Sequence, residues 1–518
     1  MQQAARFSSR FGSVKKITGQ FVVEVPQLAT NCPSEHVETR MSPREDHEKR
    51  DSNDDSQILG YETPDGERPS SASPTEQQLE SEAPAIPQLD YSPARARDPY
   101  AALRLRNYRL YAAAFWMGVI GGQTQNVAVG WEIYKKTNSA LSLGWLGLAM
   151  ATPVLLLALP AGHLADTHSR RRIMLITHAV SALCALALAM LSRFYSNSPY
   201  SVLGIYALMI LGNAGATFGR PARSALMPQL VPTSVFPNAV TWNSSIFEIA
   251  SVVGPMFGGL ICGISIPLAY AFTAACWLAA MVLVWALPNT QPPQRGDGSV
   301  PRFSDLIVGV RFVFQNKMML GAMTLDMFAV LLGGCTFLLP IFAKDMGGNA
   351  VTFGLLRAAP SIGAIVMALI IAHTPPFKRA GRALLLAVAA YGVVTLIFGL
   401  STSFRLSFAM LVLSGAFDNV SVVIRHTLIQ LLTPDRMRGR VSAVNQFFIG
   451  SSNEIGGLES GLTAAWLGHR ASVVIGGVGT MLVVLGVGAI WPQVRKIGLL
   501  TDVTTLEADA RQPQPVAV

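Results

Sequence analysis

Apolar runs of about twenty residues recur along the chain from Tyr108 onwards, and short polar segments separate them. An α-helix rises about 1.5 Å per residue, so each run can cross the roughly 30 Å of a bilayer's hydrocarbon core. We therefore predict an all-α membrane protein. Its twelve predicted transmembrane helices, helix 1 to helix 12, cover 108–129, 140–163, 173–193, 201–221, 238–263, 266–288, 318–342, 352–374, 383–400, 405–430, 441–467 and 471–492.

The first 100 residues break this pattern, because Ser, Pro, Glu and Asp dominate them from Asn31 to Pro99. They contain 17 of the 31 acidic residues but only 11 of the 40 basic ones. Such a segment cannot bury enough apolar surface to fold alone, so we predict a disordered acidic tail. Its start, Met1–Lys16, is basic and Ser-rich like a transit peptide, but it lacks the apolar core of a signal peptide.

Composition and motifs argue against most soluble functions. Only 14% of the residues are charged, whereas a soluble domain has about 25%. No Gly-Lys dipeptide occurs, so the chain has no ATP-binding P-loop, and no HExxH or GxSxG motif indicates an enzyme. The five cysteines form no CxxC pair and the eight histidines are scattered, so we expect neither a metal site nor a cofactor.

Basic residues alternate from one connection to the next, as the positive-inside rule requires. The connections predicted to be cytoplasmic carry Arg170–Arg172, Arg220, Arg223, Arg295, Arg302, Arg311, Lys317, Lys378, Arg379, Arg382, Arg436, Arg438 and Arg440. The outer connections carry only Lys135, Lys136, Arg193, Lys344, Arg405 and Arg470. We therefore predict a multi-pass protein of the inner (cytoplasmic) membrane with both termini in the cytoplasm. The excess of basic residues then serves to orient the helices in the bilayer, and it does not indicate that the protein binds nucleic acid.

A longer connection divides the helices into two sets of six, and the two halves share a motif. Gln229-Leu230 follows helix 4 and Gln430-Leu431 follows helix 10, each with a proline shortly after it. The predicted domains are an acidic tail (1–100), an N-terminal six-helix bundle (101–288), a cytoplasmic linker (289–317), a C-terminal six-helix bundle (318–493) and a second cytoplasmic tail (494–518).

The linker contains a candidate amphipathic helix. Leu306, Val310, Val313 and Phe314 share one helical face. This spacing predicts a helix that lies on the inner membrane surface with that face in the lipid.

A signature loop joins helices 2 and 3. Residues 162–172, GHLADTHSRRR, resemble the G-x-L-a-D-r-x-G-R-[KR] loop of the major facilitator superfamily, although Ser169 replaces the usual glycine. The resemblance implies two parallel repeats of six helices, the arrangement of that superfamily. It assigns a cytoplasmic gate to Gly162, Asp166, Arg170 and Arg171. A carboxylate at the membrane edge can pair with an arginine there, and the alternative is a plain positive-inside loop.

Helix 5 contains a second motif, Gly254-Pro255-Met-Phe-Gly258-Gly259. It is similar to the antiporter motif of exporters in the same superfamily. Small residues let helices approach closely, and proline bends a helix. The alternative is ordinary small-residue packing, because glycine and proline are common in membrane helices.

Three further segments resemble the enterobactin-exporter-like branch of the superfamily, whose members export siderophores or drugs. They read LDMFAVLLGG at 325–334, LLRAAP at 355–360 and RHTLIQLLTPDRMRGRV at 425–441. The resemblance extends over roughly Leu103 to Trp491 and implies secondary active export of a small molecule.

Polar residues predicted near the membrane centre form the candidate site. A charge in hydrocarbon costs at least about 2.5 kcal/mol, so charges kept there indicate function. The candidates for proton coupling are Asp326, Glu248, Asp418 and Glu454, and those for the cavity and substrate are Gln123, Asn126, Trp116, Asn213, Arg357, Arg425 and Asn453. All lie on helices that, by resemblance, line the superfamily's cavity, whereas helices 6, 9 and 12 carry no charge within their spans.

Each acidic candidate has a structural alternative. Asp326 either titrates during transport or is a buried partner of Arg357. Asp418 and Arg425 lie two turns apart on one helical face, so a salt bridge through a neighbour is the alternative there. Glu248 either contacts substrate or a proton or has only a structural role.

Aromatic residues allow two interpretations as well. Trp131 and Tyr134 fit interfacial anchors, which is the usual position of these residue types. Trp116 lies nearer the middle of helix 1 and is the better candidate for a cavity wall.

The sequence therefore predicts a secondary active transporter: a proton-coupled exporter of a siderophore or similar hydrophobic small molecule, working by alternating access. Its expected partners are the small-molecule substrate, the proton and the lipid bilayer, and we expect a monomer. A broad-specificity multidrug exporter is the first alternative, and a non-transporting membrane sensor is the second. No ring of repeated charges indicates a channel.

Overall fold

The computed structural model describes residues 98–289, 303–434 and 437–499, and the regular structure in these ranges is helical. Twelve long helices match the twelve predicted, which confirms the all-α membrane fold. They are α1 (Arg106–Thr137), α2 (Ala140–Thr167), α3 (Arg170–Phe194), α4 (Ser201–Leu230), α5 (Phe236–Ile264), α6 (Ile266–Trp285), α7 (Lys317–Gly333, resuming at Leu339–Asp345), α8 (Ala350–Ala372), α9 (Ala380–Leu400), α10 (Phe404–Leu432), α11 (Arg438–Leu467) and α12 (His469–Ile490). The predicted acidic tail up to residue 97, and residues 290–302 and 500–518, lie outside the described residues.

Helix α4 is longer than its sequence pattern indicates. The prediction ended at 221, but α4 continues through Pro221 and Pro228 to Leu230. Arg223, which was assigned to a cytoplasmic connection, therefore belongs to the helix. Arg220 does as well, although it was counted with that connection while lying inside the predicted span. Membrane helices tolerate such prolines where neighbouring groups satisfy the freed carbonyls.

Two of the twelve helices are unusually polar. Ten helices in the described ranges are long and apolar enough to cross a membrane by composition alone, and α1 and α11 are not among them. Helix α1 carries Gln123, Gln125 and Asn126, and α11 carries Asn453 and Glu454. Asn126 and Glu454 line a cavity between the bundles, so the polarity of these helices reflects their inward faces.

The first six helices form an N-terminal bundle and the last six a C-terminal bundle. In the N-terminal bundle, α1 packs against α5 and α6, and α3 packs against α4 and α6. In the C-terminal bundle, α8 packs against α10, and α9 packs against α10 and α12. The main contacts between the bundles are α2 with α11 and α5 with α8.

The apolar core is divided unequally between the two ends of the molecule. At the predicted outer end a single cluster joins both bundles, and it includes Ile133 and Leu143 together with Phe342 and Phe353. At the predicted cytoplasmic end there are two clusters, one around Tyr108 in the N-terminal bundle and one in the C-terminal bundle. The bundles therefore share a core at one end only.

Helix α7 is interrupted at Gly334 and Cys335, a break that the hydropathy pattern did not reveal. The backbone groups freed by the break are hydrogen-bonded to neighbouring helices. The Tyr391 hydroxyl donates to the Gly333 carbonyl at 3.1 Å, and the Ser460 hydroxyl donates to the Gly334 carbonyl at 2.9 Å. These bonds satisfy the requirement that backbone groups at membrane depth have partners.

The linker helix, Phe303–Gln315, packs against α7 and α11. Val313 is fully buried in the C-terminal core, whereas Phe314 is 57% exposed. This corrects the predicted single apolar face, because part of it faces protein and not lipid. The side chain of Leu306 lies outside the described residues.

A C-terminal segment, Pro492–Lys496 and the residues after it, folds back onto the start of α9. The Ala380 and Gly381 amides donate to the carbonyls of Gly498 and Ile497 at 3.0 and 3.1 Å. Val494 is fully buried in the same place. The described part of the predicted second tail therefore packs against the C-terminal bundle.

Candidate transport cavity

Glycines bring the two bundles into backbone contact at the predicted outer end. A Cβ atom added at Gly461 of α11 would lie 2.4 Å from the Cα of Gly144 in α2. A Cβ added at Gly259 of α5 would lie 2.9 Å from the Cα of Gly354 in α8. A side chain at either position would separate the helices, so glycine is what permits closure here.

The Gly-Pro motif of α5 faces two neighbours. A Cβ at Gly254 would lie 2.6 Å from the Cβ of Gln123, and the Gly254 carbonyl accepts a 3.1 Å hydrogen bond from the Thr124 hydroxyl. A Cβ at Gly258 would lie 3.0 Å from the Cα of Thr124 in α1. Gly254 and Gly258 therefore hold α5 against α1.

The other half of the motif faces the second bundle. Gly259 packs against α8, and the carbonyl oxygen of Pro255 lies 2.5 Å from where a Cβ of Gly354 would be. The motif is thus a three-helix contact between α1, α5 and α8.

The arginines of the gate motif, at the other end, bond to neighbouring helices and not to Asp166. The Arg170 guanidinium donates to the Ala225 carbonyl of α4 at 2.7 Å, and Arg171 donates to the Val284 and Trp285 carbonyls of α6. Among the described residues Asp166 has no ion pair or hydrogen bond. A Cβ at Gly162 of α2 would meet nothing within 4 Å.

A Cβ at Gly439, at the start of α11, would also meet nothing within 4 Å. The close glycine contacts between the bundles, in contrast, lie at the predicted outer end. There Lys344 of the C-terminal bundle also donates to the Asn138 side-chain oxygen of the N-terminal bundle at 2.8 Å.

The central cavity has a volume of about 250 Å³ and is lined from both bundles. Three of its lining residues were candidates from the sequence: Asn126 of α1, Asn213 of α4 and Glu454 of α11. Arg220 and Trp277 complete the wall. Arg220 was counted with the basic residues of a cytoplasmic connection, and Trp277 lies on helix 6, which carried no charge to mark it.

Two polar atoms of this cavity lack partners. The Asn213 Nδ2 and a Glu454 carboxylate oxygen are buried without a hydrogen bond to any described residue. Such buried groups cost free energy unless a water, proton or ligand satisfies them. They are therefore the atoms of the cavity best placed to meet a ligand or a proton.

Glu454 lies between arginines of both bundles. Its carboxylate is within electrostatic range of Arg220 in α4 and of Arg357 in α8. Arg357 donates to the Thr336 carbonyl at 3.4 Å, beside the break in α7. It lines a small cavity of about 20 Å³ that also touches Asn126.

Asp326 forms a buried ion pair with Arg425, from α7 to α10. This corrects both structural alternatives from the sequence, which paired Asp326 with Arg357 and Arg425 with Asp418. The side chains of Arg425 and Asp326 are only 2% and 9% exposed. Their burial inside one bundle indicates a structural ion pair.

Glu248 and Asp418 form a second carboxylate pair, one from each bundle. Asp418 on α10 lies within electrostatic range of Glu248 on α5. Both side chains are half-buried. Two like charges across the gap between bundles repel each other unless one is protonated.

Three further candidates lie away from the central cavity. Gln123 packs on Gly254, and Trp116 packs into the apolar core of the N-terminal bundle. Asn453 is exposed and donates to the Ile449 carbonyl at 2.8 Å. The tryptophan at the central cavity is thus Trp277 and not Trp116.

The aromatic residues at the end of α1 pack into the core that the two bundles share. Trp131 stacks on Phe353 of α8 with ring centroids 6.2 Å apart, and Tyr134 is buried in the same cluster. Beside them lies Glu132, beyond the predicted end of helix 1. It accepts a 2.8 Å hydrogen bond from the buried Tyr270 hydroxyl and pairs with Lys136 at 2.9 Å.

Within the described ranges, no group of three His, Cys, Asp or Glu side chains is arranged to hold a metal ion. The groups that the central cavity presents to a ligand are arginine, amide, carboxylate and indole side chains.

Comparisons with known proteins agree with this architecture. The chain is 25% identical to the enterobactin exporter EntS of Escherichia coli O1:K1 over 381 residues, covering 73% of this chain and 89% of that protein. It is 24% identical to EntS of Citrobacter koseri over 413 residues, covering 79% and 94%.

Solved structures show the same fold. A bacterial homologue of the human lysosomal transporter Spinster, in an inward-facing and unoccupied conformation, matches with a TM-score of 0.58 at 14% identity, covering 76% of this chain and 98% of that one. A D-xylose–proton symporter matches with a TM-score of 0.59 at 13% identity, covering 76% and 99%.

A family model described as transmembrane secretion effector matches residues 97–501, which include all twelve helices. The chain therefore belongs to the transmembrane secretion effector family of the major facilitator superfamily of transporters.

Proposed function

We propose that this protein is a proton-coupled exporter that moves a siderophore or a similar hydrophobic small molecule out of the cell by alternating access. The supporting observation is the apolar core, shared by both bundles at the predicted outer end and separate at the other. A cavity between such bundles opens towards the cytoplasm, where an exporter takes up its substrate. The relatives named enterobactin exporter support the substrate class.

In the proposed orientation the protein lies in the inner membrane and both of its termini are in the cytoplasm. The gate motif is then at the open end, which agrees with the unpaired Asp166 among the described residues. Closing that end would bring Asp166 and the start of α3 towards the second bundle. The glycine contacts between α2 and α11 and between α5 and α8 would separate in the same step.

We assign proton coupling first to Glu454. Its carboxylate has a buried oxygen without a partner and faces Arg220 and Arg357 from opposite bundles. Protonation would remove the charge that attracts both arginines and so allow the bundles to reorient. The proton motive force supplies about 1.4 kcal/mol per pH unit and about 2.3 kcal/mol per 100 mV. Glu248 and Asp418 are the second candidates, whereas Asp326 is held by Arg425.

The test is export by cells that lack the gene. Under iron starvation the deletion strain should retain one metal-chelating metabolite and lose it from the medium, as measured by mass spectrometry. The wild-type gene should restore export and Glu454→Gln should not. Glu459→Gln is the matched control, because Glu459 lies on the same helix and accepts a 2.9 Å hydrogen bond from Thr463. An unchanged medium would overturn the siderophore substrate, and sensitivity of the deletion strain to unrelated toxic cations would then favour multidrug efflux.

A further inference from the structure

A second cavity lies inside the N-terminal bundle, between α1, α3, α4 and α6. Its volume is about 120 Å³, and it adjoins the central cavity through the shared walls Gly118, Ser181, Ala216, Arg220 and Trp277. An enclosed volume of about 150 Å³ holds a benzene molecule. The side pocket alone is smaller than that, so a ring-sized group fits only if it also extends into the adjoining central cavity.

Glycines let the walls of this side pocket pack closely. A Cβ added at Gly118 would lie 3.1 Å from the Trp277 ring, so the indole rests directly on α1. A Cβ added at Gly219 of α4 would lie 3.1 Å from the Thr177 hydroxyl oxygen. A side chain at either position would push Trp277 or Thr177 out of place.

Two arginines give the pocket its charge. Arg220 and Arg223 lie one turn apart on α4, and both line the pocket. The Arg223 guanidinium lies 4.4 Å from the centroid of the Phe115 ring. None of the described side chains that line this pocket is acidic. Glu454, the carboxylate within electrostatic range of Arg220, lines the adjoining central cavity and not this pocket. Arginines without a carboxylate on the same wall favour an anion as their partner.

His178 forms the inner wall of the pocket. Its Nδ1 lies 2.5 Å from the Met174 carbonyl oxygen, which only accepts, so Nδ1 carries the proton. The Nε2 atom is then the ring nitrogen left for another partner. The imidazole also packs edge-on against Trp277, with centroids 5.3 Å apart. The pocket thus combines two guanidinium groups with aromatic walls.

We propose that this side pocket is a subsite for a planar organic anion, an aromatic ring that bears a carboxylate. Arg223 and Arg220 pair with the carboxylate, while Trp277 and Phe115 pack against the ring. The inference rests on the proposed function in one respect: the bound group is the charged end of the transported molecule. The binding itself needs no transport and is measurable separately.

The experiment is a calorimetric titration of the purified full-length protein in detergent with benzoate, and with benzyl alcohol and benzylamine as ring-matched probes. Benzoate should bind, and the two probes without a negative charge should bind about tenfold or more weakly. Arg223→Gln should weaken benzoate binding about tenfold or more, and Arg223→Lys should restore most of it. Arg193→Gln is the matched control, since Arg193 also lies over a phenylalanine ring but at the far end of α3.

A second variant keeps the test decisive if Arg223→Gln fails to fold. Ala216→Leu enlarges a wall shared by the two cavities without removing charge and should also abolish benzoate binding. Equal binding of benzoate and benzyl alcohol, or equal effects of Arg223→Gln and Arg193→Gln, would overturn the subsite. Benzoate binding without any metabolite export would overturn the proposed function and leave the subsite in place. Export without benzoate binding would overturn the subsite alone.

Discussion

Asp326 and Arg425 show how one residue pair changes the interpretation of a sequence motif. Asp326 is an intramembrane acid, which from sequence is a candidate for proton transfer. In the structure it faces Arg425, and both side chains are almost fully buried within the C-terminal bundle. Removing one partner of such a pair leaves an uncompensated buried charge and costs about 3–5 kcal/mol.

We therefore expect Asp326→Asn to lower the melting temperature of the purified protein strongly. The double variant Asp326→Asn with Arg425→Gln should recover part of that loss, because neither charge then lacks a partner. Thermal unfolding in detergent measures both effects, and Asp418→Asn is the control, since Asp418 faces the gap between bundles. A stable Asp326→Asn protein that no longer exports would instead assign Asp326 to proton coupling.

At the scale of helices, glycine positions decide which elements can touch. Gly461 of α11 lies against the backbone of Gly144 in α2, whereas Gly486 of α12 has open space around it. Gly461→Val should prevent closure of the outer end and abolish export, while Gly486→Val should leave export intact. Overpacking a tight contact costs about 1–3 kcal/mol, enough to shift a balance between two conformations.

Accessibility of the cavity provides the measurement for this prediction. In a variant without native cysteines, Asn126→Cys should react slowly with a membrane-impermeant maleimide added outside the cell. Gly461→Val should make that reaction faster, because the outer end stays open. Unchanged labelling in the presence of Gly461→Val would show that α2 and α11 do not form the outer closure.

At the scale of the whole molecule, the proposed alternating access requires the two bundles to move relative to each other. A Cβ at Gly263 of α5 would lie 3.3 Å from a methyl carbon of Val351 in α8, so cysteines at these positions are close enough to bridge. In a variant without native cysteines, Gly263→Cys with Val351→Cys should form a disulfide and stop export until a reductant is added. The control pair, Gly162→Cys with Gly439→Cys, lies at the open end and should crosslink far less. Full export by the oxidised Gly263–Val351 pair would contradict alternating access between the bundles.

The positions of the helices were determined by the sequence itself. A run of about twenty apolar residues has few alternatives in lipid to a helix that satisfies its own backbone. All twelve predicted spans are present, and the motif in α5 and the loop after α2 are recognisable from the order of their residues alone. Even the polarity of α1 and α11, which hides them from a hydropathy criterion, follows from residues visible in the sequence.

Only the tertiary structure decided which side chains meet. Arg425 and not Arg357 pairs with Asp326, and Trp277 and not Trp116 lines the central cavity. Arg220 also lines the central cavity, although the sequence counted it with the basic residues of a cytoplasmic connection. Hydropathy fixes how deep a residue lies in the membrane, but the rotation of each helix and the neighbour it packs against depend on side-chain contacts between distant segments, which no local pattern encodes.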